Sequence, residues 1–164
     1  MNRRSHSLGI AVHICLWGVL EGMFLAPLRI CAKLQISNFS PLKRSKACTV
    51  FTPGCNLRCP FCHNASLVFS CADEIGEERV LAFLNKRVGI LDGMCVTGGE
   101  PLLQKDIADF LRKVKALGYQ IKLDTNGTFP DRLQPLLEEQ LVDYVAMDIK
   151  AAPDNYNNAT GVVT

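Results

Sequence analysis

The chain has 164 residues, 48% of them hydrophobic and 21% charged, with 18 basic against 16 acidic side chains and a net charge of +2. This is the balance of a folded globular domain, which excludes a disordered or fibrous chain. The small positive excess gives no electrostatic case for nucleic acid as the main partner.

The first residues differ from the rest. Asn2-Arg3-Arg4 is basic, and the run from Leu8 to Leu20 is mostly apolar. That is the outline of a secretory signal. His13 interrupts the run, Glu21 ends it, and no small-x-small cleavage site follows. The run is also short for a membrane span. Residues 1–32 are therefore read as an N-terminal extension, either signal-like or upstream of a native start such as Met23. A core domain covers 33–164.

From Ala47 onward, strand-like and helix-like patterns alternate. Cys48-Thr49-Val50-Phe51 reads as a first strand. Val80, Phe83, Leu84 and Val88 recur at helical spacing and predict a helix from about Ile75. Met94-Cys95-Val96-Thr97 reads as a second strand. Ile107, Phe110, Leu111, Val114 and Leu117 form a helical stripe that Gly118 stops. Ile121-Lys122-Leu123 is a third strand. Leu133, Leu136, Leu137 and Leu141 mark a third helix, entered by Pro130-Asp131, and Tyr144-Val145-Ala146-Met147 is a fourth strand. Such alternation implies βαβ crossovers and a parallel sheet. Sites in these sheets collect past the C-terminal strand ends.

Each strand end delivers chemistry. The first runs into Gly54-Cys55-Asn56-Leu57-Arg58-Cys59-Pro60-Phe61-Cys62-His63. The second ends in Thr97-Gly98-Gly99-Glu100-Pro101, the third in Asp124-Thr125-Asn126-Gly127, the fourth in Asp148-Ile149-Lys150. Four such ends in register predict an active-site rim.

The cysteine loop is the most specific feature. Of eight cysteines, at 15, 31, 48, 55, 59, 62, 71 and 95, three crowd into Cys55–Cys62. Thiols that close together point to metal or redox work in a reducing compartment rather than to a disulfide framework. Cys48, Cys71 and Cys95 read as small buried apolar residues. Three thiolates suit a soft metal centre. A cubane cluster held by only three cysteines keeps one iron open. The alternative is zinc, with His63 or a distant cysteine as fourth ligand, although structural zinc commonly takes two separated pairs.

Cys55-x-x-x-Cys59-x-Phe61-Cys62 resembles the signature of the radical S-adenosylmethionine enzymes. The resemblance implies a [4Fe–4S] cluster on Cys55, Cys59 and Cys62, with S-adenosylmethionine chelating the open iron. Reductive cleavage then gives a 5′-deoxyadenosyl radical that abstracts a hydrogen atom. Gly98-Gly99-Glu100 resembles the glycine-rich motif of that family, and Glu100 is expected to accept bonds from the methionine ammonium. Its alternative is a strand-to-helix cap made with Pro101. Asp124 and Asn126 either bind ribose hydroxyls or serve turn chemistry. Asp148 and Lys150 resemble the Asp-x-Lys pair that meets the cofactor in glycyl-radical activating enzymes, or form a surface ion pair. Phe61 either lies against adenine or packs in the core, and His63 is either a site contact or a local cap.

Longer stretches, Phe51 to Asn56, Cys59 to Asn64, Leu123 to Gly127 and Val142 to Lys150, resemble anaerobic ribonucleoside-triphosphate reductase activating proteins. These are similar to pyruvate formate-lyase activating enzymes. The implied fold is α/β, a partial (β/α) barrel with parallel strands. Because the chain stops at Thr164, it is expected to be truncated after the fourth strand–helix region. The implied partners are a glycyl-radical enzyme, namely the anaerobic reductase, and an electron donor such as flavodoxin or ferredoxin, with no nucleic acid or membrane. The implied location is the cytoplasm. Ala65 departs from the proline common in that subgroup. The rivals are a radical S-adenosylmethionine enzyme acting on a small molecule, a zinc-stabilised or truncated module without catalysis, and an enzyme inactivated by truncation that keeps its cluster loop.

Overall fold

The computed structural model describes residues 11–12, 28–39, 45–69 and 73–162, with side chains outside the description at 11–12, 32–39 and 45. Most of the signal-like run, and Cys71, lie outside the described residues.

Among the described residues, seven strands form one sheet. They are β1 (Ala11–Val12), β2 (Ile30–Phe39), β3 (Ser45–Thr52), β4 (Glu74–Ile75), β5 (Gly93–Gly98), β6 (Gln120–Thr125) and β7 (Tyr144–Met147). The spatial order is β1-β2-β3-β5-β6-β7, and β4 also pairs with β2. Pairing is parallel from β3 through β5 and β6 to β7. It is antiparallel for β1, β2 and β4. The four parallel strands are the four predicted ones, in chain order.

β2 is an addition to the sequence reading. It runs straight through position 33, where composition suggested a boundary, and aligns Cys31 with Phe51 and Ile36 with Cys48. Leu28 and Ile30 are buried in the same core as the parallel strands. The folded unit therefore includes residues before Lys33.

Three helices cross between the parallel strands: α1 (Glu77–Asn85), α2 (Ile107–Ala116) and α3 (Pro130–Glu138). A short α4 (Tyr156–Thr160) follows β7. The α1 helix begins two residues later than Ile75 and ends before Val88, which is 53% exposed. Gly118 stops α2 as expected, at φ +89°.

Each crossover advances one strand in the same direction, so the three helices share a face. One core unites Val80 and Leu84 of α1, Phe110 and Val114 of α2, and Leu133 and Leu136 of α3 with Cys48, Val50, Met94, Val96, Ile121 and Leu123 of the sheet. Those strand residues alternate with Thr49, Cys95, Thr97, Lys122 and Asp124, which face the other way. That second face, together with the C-terminal strand ends, carries the site.

Candidate active site

The loop after β3 has no strand or helix of its own until the 3₁₀ turn at Ala65–Leu67. Its backbone must find partners elsewhere. Gly54 N–H donates to the Leu67 carbonyl at 2.7 Å, and Cys55 N–H to the Val68 carbonyl at 3.0 Å. Arg58 N–H donates to the Thr160 carbonyl at the end of α4, at 2.7 Å. Cys62 N–H closes a turn onto the Cys59 carbonyl at 3.1 Å.

Gly98 and Gly99 hold this loop to the end of β5. Gly98 has φ +122°, and a Cβ there would lie 2.5 Å from Thr52 N. A Cβ on Gly99 would overlap the Gly54 carbonyl oxygen and lie 2.6 Å from its carbon. Gly99 N–H donates to Thr52 O at 2.9 Å, and Glu100 N–H to Gly54 O at 2.7 Å. The glycines are thus required by backbone meeting backbone, an explanation that needs no ligand.

A cavity of about 590 Å³ opens above the strand ends, within the roughly 300–1,000 Å³ usual for small-molecule sites. Cys55, Cys59 and Cys62 line it from the loop, and Phe61 and His63 accompany them. Gly98 and Gly99 line it from β5, Asp124 and Asn126 from the end of β6, and Asp148 and Lys150 from beyond β7. Every residue singled out in the sequence thus meets at one cavity, except Glu100.

Glu100 has no exposed surface. Its Oε1 accepts from Leu102 N–H at 3.0 Å and from the Thr125 hydroxyl at 2.8 Å; its Oε2 accepts from Asn126 N–H at 2.7 Å. All three of these contacts are internal. The carboxylate caps the turn at Pro101–Leu103 and ties β5 to β6. Burial pushes its pKa up, against the pull of the three donors and of Lys150.

Asn126 shows the turn chemistry that its sequence also allowed. It lines the cavity, but its amide is already bonded. Oδ1 accepts from Thr128 N–H at 3.0 Å and from the Thr128 hydroxyl at 2.6 Å. Nδ2 donates to Asn56 Oδ1 at 2.9 Å and toward Cys55 Sγ at 3.9 Å. Asp124 and the Asp148–Lys150 ion pair line the cavity as well. Phe61 is 54% exposed, so it packs in no core.

Lys122 was missed. It lines the cavity and pairs with Asp124 at 2.7 Å. Burial disfavours its charge, but the Asp124 hydrogen bond and nearby negative groups outweigh that, and its pKa is raised. The signal was strand alternation: Lys122 and Asp124 are two apart on β6 and share a face. Cys95 shares that face too, its thiol 3.5 Å from Asp124 Oδ2. Like Cys48 it is buried, as expected, and burial pushes both thiols up to about 12.

Cys48, Cys55, Cys59, Cys62 and Cys95 are free thiols. The donor set fits a cluster. Burial raises the pKa of Cys55, opposed by a bond from Leu57 N–H, and charge on Glu100, Cys59 and Cys62 raises it further. A cationic metal centre supplies the compensation that three neighbouring thiolates lack. Among the described residues no trio of His, Cys, Asp or Glu converges on the position of a single ion. A cubane asks instead for thiols spread around its corners.

The model of the Radical SAM superfamily matches residues 49–164 of the chain. The chain is 35% identical over 124 residues to a protein of Methanocaldococcus jannaschii named as a glycyl-radical enzyme activating enzyme, covering 75% of this chain and 50% of that one. It is 32% identical over 109 residues to 7-carboxy-7-deazaguanine synthase of Hyperthermus butylicus, covering 65% and 44%. It is 32% identical over 124 residues to pyruvate formate-lyase 1-activating enzyme of Escherichia coli K12, covering 68% and 49%. The chain spans about half the length of the curated relatives it matches. Among the described residues no helix is long and apolar enough to cross a membrane.

Proposed function

The chain belongs to the radical SAM superfamily, and from that premise we propose that it generates a glycyl radical on a partner enzyme. In this reading Cys55, Cys59 and Cys62 hold a [4Fe–4S] cluster, and S-adenosylmethionine occupies the cavity beside them. When bound, the pair supplies reductive cleavage of the sulfonium carbon–sulfur bond and so a hydrogen-abstracting 5′-deoxyadenosyl radical. The observation that carries the reading is the convergence of three free thiols and all four parallel strand ends on one cavity.

The chain's own groups bind and orient. Asp124 and Asp148 offer carboxylate oxygens to an ammonium or hydroxyl groups, and Lys150 offers an ammonium to a carboxylate. Lys122 holds Asp124 toward the cavity. Phe61 presents an apolar ring at the mouth, suited to a purine face. Val68, Met147 and Ile149 add apolar walls that limit water.

Likeness to a protein named as a glycyl-radical enzyme activating enzyme and to a pyruvate formate-lyase 1-activating enzyme supports this choice of target. The narrower reading names an anaerobic ribonucleoside-triphosphate reductase, with flavodoxin or ferredoxin as electron donor, in the cytoplasm. Likeness to a deazaguanine synthase favours a second reading, a small-molecule substrate in the same cavity. The test is electron paramagnetic resonance. The chain, loaded anaerobically with iron and sulfide and reduced, should give a [4Fe–4S]⁺ signal that changes on adding S-adenosylmethionine. Mixing with the reductase should then yield a glycyl-radical doublet. A folded sample without a cluster signal would refute the reading. A cofactor-sensitive cluster with no doublet on any glycyl-radical enzyme would move the target to a small molecule.

A further inference from the structure

We propose that Asn126 is the positioning residue of the cluster loop and sets the cluster's reduction potential through the Cys55 sulfur. The inference rests on the reading above, because it takes Cys55 as a cluster ligand.

The orientation of the Asn126 amide is fixed by chemistry. A backbone N–H can only donate, so the end of the amide facing Thr128 N–H at 3.0 Å must be Oδ1. Nδ2 therefore faces the loop. One of its hydrogens goes to Asn56 Oδ1 at 2.9 Å, the other toward Cys55 Sγ at 3.9 Å. Asn56 then has only its own Nδ2 to offer, and donates it to Thr128 Oγ1 at 2.9 Å. The Thr128 hydroxyl hydrogen returns to Asn126 Oδ1 at 2.6 Å. The three side chains close a ring in which each donor meets an acceptor. Both hydrogens and both lone-pair directions of the Asn126 amide are used, which leaves none for a ribose.

The ring spans a long gap in sequence. Asn56 lies between the first two cysteines of the loop, whereas Asn126 and Thr128 follow β6. Asn126 is 9% exposed, and its backbone N–H is held by buried Glu100. The ring therefore transmits the position of β6 to the loop. Cys55 Sγ also receives Leu57 N–H at 3.4 Å. N–H groups aimed at a ligand sulfur favour the more negative, reduced cluster and raise its potential.

The test is a redox titration followed by electron paramagnetic resonance on the full chain after anaerobic loading with iron and sulfide. Asn126→Ala removes the donor and the brace. At a fixed potential its oxidised-to-reduced ratio should rise about tenfold, a fall of about 59 mV for a one-electron couple. Iron should also pass to a chelator faster. Asn126→Asp, of equal size, guards against misfolding: it loses the N–H, adds negative charge near the sulfur, and should shift the potential the same way and further. Thr128→Val opens the ring but spares the donor, so chelator release should quicken with a smaller shift. A wild-type cluster whose potential is matched by both Asn126 variants would overturn the inference while leaving the functional reading intact. A folded wild-type chain that takes up no cluster would overturn both.

Discussion

Gly99→Ala tests whether the glycine pair exists to seat the cysteine loop. The new methyl would overlap the Gly54 carbonyl oxygen and sit 2.6 Å from its carbon. Ordinary contact begins near 3.4 Å, so the loop must retreat by more than the roughly 0.8 Å that the carbon alone requires, because the oxygen lies closer still. Overpacking of this kind costs about 1–3 kcal/mol. The retreat also stretches the Glu100 N–H bond to Gly54 O and the Gly54 N–H bond to Leu67 O, each worth about 1 kcal/mol. A loss of about 3 kcal/mol follows, roughly a hundredfold in the folding equilibrium. The control is Gly118→Ala. Gly118 also needs a left-handed backbone, at φ +89°, but a Cβ there meets nothing within 4 Å. Its cost is strain alone, about 1–2 kcal/mol. Urea unfolding and the iron and sulfide retained after anaerobic loading check the pair. Gly99→Ala should lose both stability and iron; Gly118→Ala should lose some stability and no iron. If Gly99→Ala matched wild type in both assays, the steric account would fail. If Gly118→Ala lost as much iron, the effect would be global and not a property of the loop.

Glu100→Gln should destabilise the fold by about 1–3 kcal/mol, because its NH₂ must face either Asn126 N–H or Leu102 N–H and strand a buried donor. Because burial raises the Glu100 pKa above the ordinary 4.5, the folded state binds this proton more tightly than the unfolded chain. Its contribution to stability therefore declines as pH rises from about 4.5 through the folded value, and urea titrations across pH should show that slope in wild type and not in Glu100→Gln. Cys48 and Cys95, with pKa values pushed up to about 12, should resist iodoacetamide at pH 8 in the folded protein, whereas loading with iron and sulfide should be needed to protect Cys55, Cys59 and Cys62; mass spectrometry of the labelled peptides reads both. Tyr119→Phe should cost about 1 kcal/mol by chemical denaturation, since the phenol donates to the Leu84 carbonyl at 2.7 Å from a buried position.

The three crossover helices and strands β3, β5 and β6 were legible because the face turned to the helices is sealed, and burial writes its period into the chain; β7, whose residues are exposed or half-buried, carries no such signal. Met94 and Val96, then Ile121 and Leu123, alternate as a one-sided core demands. The β2 strand carried the same signal, since Ile30, Ala32, Leu34 and Ile36 alternate with Lys33, Gln35 and Ser37. The signal is masked by the apolar run upstream, which makes the composition change near the same residues. The cavity was legible through strand ends that share a rim. What was not legible was the division between groups that face a ligand and groups that hold them. Glu100 and Asp124 are both carboxylates at strand ends, yet one is sealed among N–H donors and the other lines the cavity. Spacing cannot separate them, because the difference is made by residues distant in sequence. Pro101 after Glu100 was the local hint of a cap.

That distance explains why the cysteine loop is built as it is. Like charges on neighbouring ligands repel until a cation binds, so a site that waits for its metal must be held by other forces. The loop has no ladder of its own and takes anchors from four places. Leu67 and Val68 hold its start, Gly98 and Gly99 hold it against β5, Asn126 braces it from β6, and Thr160 of α4 catches Arg58. A Cβ on Gly161 would lie 2.6 Å from the Arg58 carbonyl, so this last contact is also backbone on backbone. The anchors belong to different strand–helix units, so the relative placement of the three thiols is a property of the assembled sheet. Loosening any one anchor should move the loop as a whole, whereas swaps within the helix-side core, such as Leu for Met, should leave it in place. In the proposed reading the signature names the ligands; the rest of the sheet fixes the distances at which they can act.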